Sequence, residues 1–126
     1  MALLSTILAL SVLAAGLFPT PALSLRTLDL KGHARSMYMP PADVDVEIHV
    51  TPDPSNREVY VFCTSTNGDC GSSQFGLNGA NESPVFHRKL RDLVDGTYEI
   101  QVTVIRQSQD PLRQRVRFQV GGSDPQ

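Results

Sequence analysis

The sequence predicts an all-β fold: one antiparallel β-sandwich of about seven strands behind a short apolar leader helix. Three observations predict it. Apolar residues recur at period two, most cleanly in "VDVEIHV", residues 44–50. Turn-forming residues break the chain at short intervals, and no helix-period segment stands between them. The chain has 126 residues, so a single domain with one modest core is expected.

The elements follow in order. "MALLSTILALSVLAAGLF" carries no charged side chain, and "PTPALS" follows with small residues and two prolines. That pattern reads as a secretory signal peptide over residues 1–24, cleaved after Ala22 or Ser24. The early Lys or Arg that usually precedes such a run is missing. A retained membrane anchor is therefore the rival reading, since Ala2 to Phe18 is close to the shortest span of a bilayer. Residues 25–126 form the expected domain, with 121–126, "GGSDPQ", as a frayed tail. A short first strand is expected at Leu28–Leu30. The next is Val44–Val50, with Asp45, Glu47 and His49 on the opposite face from the valines. "TPDPSNR" turns the chain into "EVYVFCTST", apolar on both faces and so central. Asn67-Gly68 is a hairpin signal, because both positions tolerate positive φ. "SSQFGL", "VFHRKL", "TYEIQVTV" and "RVRFQV" supply the remaining strands. In the last hairpin, pairing Val104 with Val116 and Val102 with Phe118 sets apolar side chains opposite each other, with an odd-length loop centred on Asp110.

"LRDLVDGTYEIQVTV", residues 90–104, carries the most specific motif. Leu93, Gly96, Tyr98 and Val102 resemble the corner that enters strand F of immunoglobulin-like and fibronectin type III-like domains, as found in exported bacterial proteins. The resemblance implies that Gly96 supplies a permissive backbone. It also implies that Tyr98 buries its ring and returns its hydroxyl to the backbone near Leu93. The antibody pattern is not matched: Trp is absent, and the two cysteines lie seven apart.

The remaining features set the functional expectations. Thirteen acidic against eleven basic residues give a net charge of −2, which argues against a nucleic-acid surface. Two cysteines behind a leader predict a Cys63–Cys70 disulfide. A two-residue Asn-Gly turn leaves that pair diagonal, about 7–8 Å apart, so a wider loop or a twist must close the gap. "GDCG" around Cys70 resembles the nucleophile turn of chymotrypsin-like cysteine proteases, a fold of two barrels for which the domain is too small. Asp45, Glu47 and His49 offer metal-type donors, but neighbours on one strand face lie about 6.6 Å apart. Arg113, Arg115 and Arg117 alternate on the last strand and, with Arg88, Lys89 and Arg91, read as edge protection or an anionic-glycan surface. Asn81-Glu82-Ser83 matches a glycosylation sequon weakened by Pro84.

The expected function is a non-catalytic secreted or periplasmic binding or assembly module, with an unidentified protein or glycan partner. No catalytic residue, cofactor, metal, nucleic acid or membrane association after cleavage is expected. A small thiol-dependent hydrolase using Cys70, or a metal-binding or inhibitor domain, is the alternative.

Overall fold

The computed structural model describes residues 22–77 and 84–122. Residues 1–21 of the expected leader, the sequon and the last four residues lie outside that range. Eight strands make up the described residues: β1 (Leu23–Leu28), β2 (Met37–Tyr38), β3 (Ala42–Val50), β4 (Asn56–Ser65), β5 (Gly68–Gly76), β6 (Val85–Leu93), β7 (Gly96–Arg106) and β8 (Leu112–Val120). They form two sheets, a three-stranded one of order β1-β3-β6 and a five-stranded one of order β2-β8-β7-β4-β5. All pairings are antiparallel except β2 with β8, which is parallel. The fold is thus all-β with one mixed sheet.

The period-two pattern decides which side chains enter the core. Val44, Val46, Ile48 and Val50 of β3 face Val59, Val61 and Cys63 of β4 and Tyr98, Ile100, Val102 and Val104 of β7, all of them buried. Phe75 of β5 meets Phe86 of β6 at one side, with ring centroids 4.9 Å apart. Burying the side chain of each such Val or Ile stabilises the fold by roughly 1.5–3 kcal/mol before the entropy of ordering is subtracted.

Three expectations are corrected. The first strand is Leu23–Leu28, not Leu28–Leu30. Leu23 is only 3% exposed and pairs with Val50, so a boundary between residues 24 and 25 falls inside β1. Asp29 ends the strand: its carboxylate accepts from the backbone N–H groups of Lys31 and His33, at 2.9 Å each, and from Arg35 Nε at 2.6 Å. Next, the β4–β5 turn lies one residue earlier than the Asn-Gly signal. Ser65 pairs with Gly68 and Thr64 with Asp69, leaving Cys70 as the extra residue of a bulge before Gly71 pairs with Cys63.

The last hairpin keeps the expected faces but not the expected register. Val104 pairs with Leu112, Val102 with Gln114, Ile100 with Val116 and Tyr98 with Phe118. The turn is centred on Ser108, at φ 60°, and Arg106 Nε donates to the Asp110 carbonyl at 2.8 Å. A slide that moves every partner by four residues leaves each side chain on its own face, so alternation alone does not separate the two registers. The observed one stacks Tyr98 on Phe118, with centroids 5.1 Å apart and planes 5° apart, and sets Glu99 opposite Arg117.

Candidate binding face

Leu93 ends β6, and Gly96, Tyr98 and Val102 follow on β7. Tyr98 is 3% exposed, and its hydroxyl donates to the Val94 carbonyl at 2.7 Å. Leu93 packs against the core from β6, and Val102 is fully buried. Gly96 has φ 156°, but close approach is the stronger constraint. A Cβ there would sit 2.8 Å from Thr66 Oγ1 and 3.0 Å from Asn67 Nδ2. Those two side chains brace the corner: Asn67 Nδ2 donates to the Asp95 carbonyl at 3.0 Å, and Thr66 Oγ1 accepts from Thr97 N at 3.3 Å. This is a structural site.

Cys63 and Cys70 are joined in a disulfide with Cα atoms 5.0 Å apart. The bulge at Cys70 removes the geometric difficulty, because it brings Cys70 beside Cys63 instead of diagonal to it. With both sulfurs bonded, Cys70 presents no thiolate, and the thiol-hydrolase alternative has no nucleophile in this state.

The outer face of the three-stranded sheet carries two histidine–carboxylate contacts and one arginine–glutamate ion pair. His87 Nδ1 lies 2.9 Å from Asp45 Oδ2, and His49 Nε2 lies 2.9 Å from Glu47 Oε1, which Arg26 Nε also contacts. Arg26 first and His49 second hold the Glu47 carboxyl below its ordinary range. Each carboxylate is thus committed to its own partners. Among the described residues no three His, Cys, Asp or Glu side chains are grouped so as to hold a metal ion.

The outer face of the five-stranded sheet is different in kind. Strand pairing aligns its side chains in rows across β5, β4, β7 and β8. One row is Gln74, Tyr60, Thr103, Arg113; the next is Ser72, Phe62, Gln101, Arg115. Tyr60 and Phe62 are 39% and 43% exposed, on the solvent side of a strand with neighbours on both edges. The Tyr60 hydroxyl donates to Glu58 Oε1 at 2.7 Å, which raises its pKa. Beyond the aromatic pair, Arg115 and Arg117 both approach Glu99 Oε2, at 3.5 and 3.6 Å. Arg113 has no ion pair among the described residues. A shallow depression lined by Gln101, Arg113, Gln114 and Arg115 lies at the β8 end of these rows.

Sequence reading isolated the three arginines but missed Tyr60 and Phe62. "EVYVFCTST" is apolar at every other position on both faces, so alternation alone marked it as a covered strand. The described residues cover only its inner face.

No protein-family description matches the sequence, and no curated protein is similar to it. Solved structures do share the fold. A superoxide reductase (neelaredoxin) from Ignicoccus hospitalis superposes with a TM-score of 0.59 at 10% identity, over 81% of this chain and 82% of that one. The PmoD soluble domain from Methylocystis sp. ATCC 49242 (Rockwell) gives 0.57 at 10% identity, over 83% and 95%. At such identity the likeness is one of fold. It corrects the expectation of a non-enzymatic domain: the same architecture belongs to an enzyme in the archaeal protein, so the fold gives no ground for setting catalysis aside. Among the described residues no helix is long and apolar enough to cross a membrane.

Proposed function

We propose that this chain is an exported binding domain whose recognition surface is the outer face of the five-stranded sheet, and that it takes a saccharide chain. One observation carries the reading: Tyr60 and Phe62 lie exposed side by side on β4, in register with hydrogen-bonding side chains on both flanking strands. Two adjacent half-exposed aromatics on a rigid sheet offer a ligand a fixed apolar surface to cover. Sugar rings offer it apolar C–H faces, while Gln74, Ser72, Thr103 and Gln101 offer donors and acceptors for hydroxyl groups. Neighbouring strands lie about 4.8 Å apart, close to the length of one pyranose unit, so a chain laid along a row would meet one side chain per sugar.

Export is supported by the apolar leader and by a disulfide in a domain of this size. The strand order, three against five with a tyrosine corner entering β7, supports the immunoglobulin-like class. Superoxide reduction, named for the archaeal neighbour, is a second reading that rests on fold alone. Electrophoresis through gels containing single soluble polysaccharides tests the proposal. At least one polymer should retard the wild-type protein, and Tyr60→Ala with Phe62→Ala should abolish the retardation. Retardation unchanged in that variant overturns the reading.

A further inference from the structure

We infer that the saccharide is polyanionic, a uronate-bearing chain whose carboxylates are read by Arg113 and Arg115. This rests on the binding-face reading above and adds the ligand's charge to it.

The argument is one of charge placement. Each row ends on an arginine of β8: Tyr60–Thr103–Arg113 and Phe62–Gln101–Arg115. The guanidinium column therefore lies two strands from the aromatic column, about 9.6 Å away. A trisaccharide laid along a row with its first ring on the aromatic places its second ring over β7 and its third at the arginine. A neutral chain would leave that third position facing a charge it cannot match. A carboxylate there meets a planar fork of N–H donors, the geometry guanidinium pairs with best.

The ion pairs on the face agree with this. Glu99 lies beside the column and is shared: Arg115 Nη1 donates to its Oε2 at 3.5 Å, and Arg117 Nε lies 3.6 Å from the same oxygen. Glu58 is turned toward Tyr60 at the far side. Among the described residues Arg113 has no ion pair, and it lines the depression together with Gln101, Gln114 and Arg115. This positive strip stands out on a chain whose net charge is −2. Edge protection accounts for the charges but not for their alignment with the exposed aromatics. A nucleic acid would also stack on aromatics, but its phosphate at every nucleotide asks for a longer basic track than one column of three arginines.

The test is titration of the full domain, disulfide intact, with tetragalacturonate, with cellotetraose as a neutral chain of equal length, and with a single-stranded oligothymidylate. Backbone amide shifts provide the map. Tetragalacturonate should bind at least about tenfold more tightly than the neutral chain, a difference of about 1.4 kcal/mol, and should weaken as salt rises. The shifts should centre on β4, β7 and β8. Arg113→Gln with Arg115→Gln should remove that preference, bringing tetragalacturonate down to the affinity of the neutral chain. Phe62→Ala should weaken both. Equal affinity for the two sugars, or a preference that survives the double arginine change, overturns the polyanion assignment while leaving the face reading intact. Preference for the oligothymidylate also overturns it. Shifts confined to the three-stranded sheet, or no effect of Phe62→Ala on either sugar, overturn the face reading itself.

Discussion

Replacing Tyr98 by phenylalanine removes one oxygen and nothing else, so it isolates the corner hydrogen bond. The ring is 3% exposed and stacks flat on Phe118, and the phenylalanine ring would keep that contact. What is lost is the 2.7 Å bond to the Val94 carbonyl. Leaving a buried acceptor without a partner costs roughly 1–3 kcal/mol. The bond is part-buried and Val94 is 59% exposed, which places the cost at the lower end, about 1 kcal/mol. For a domain of about a hundred residues that corresponds to a fall in Tm of roughly 4–8 °C. Urea unfolding with the disulfide intact should show a lower midpoint at unchanged slope. Tyr98→Leu, which also removes the aromatic stack, should cost about 0.5–1.5 kcal/mol more. A Tyr98→Phe variant indistinguishable from wild type would refute the reasoning.

Other perturbations probe other links. Cys63→Ala with Cys70→Ala opens a ring of about eight residues and should lower stability by about 2.5 kcal/mol on the chain-entropy model, read from the same urea curves. Gly96→Ala should lower Tm more than an exposed Gly122→Ala, because its Cβ meets Thr66 Oγ1 at 2.8 Å whereas nothing lies near that of Gly122. A chain beginning at Leu23 should be more stable than one beginning at Leu25 by about 1.5–3 kcal/mol, the worth of one buried Leu; N-terminal sequencing of the exported protein should then find Leu23. The Asp29 clamp should resist acid. Arg35 first, then the backbone N–H of His33, hold this carboxyl far below its usual value. Its contribution is fully present above the ordinary aspartate pKa of about 3.9 and is lost only as pH falls through the lower folded value. Amide exchange at Lys31 and His33 should thus stay slow through about pH 4, and loosening there would overturn the clamp.

Composition and alternation were enough to determine the all-β class, because period two has no helical solution and commits Val44 to Val50 and Tyr98 to Val104 to one buried side. Gly96 and Tyr98 were legible too: a corner is a local motif, carried within a few residues. What the sequence left open is whatever a shift by an even number of residues preserves. The β7–β8 register falls there, and so does the row that sets Phe62 beside Gln101 and Arg115. Alternation states a face and not a partner. The bulge at Cys70 lay beyond it as well, since one extra residue in β5 is decided by the disulfide and by the pairing of β4 on both edges. The candidate site itself was decided by tertiary structure alone. Tyr60 and Phe62 are identical in the sequence to residues of a twice-covered strand. Only the packing of three strands against five, on a single side, leaves them in water.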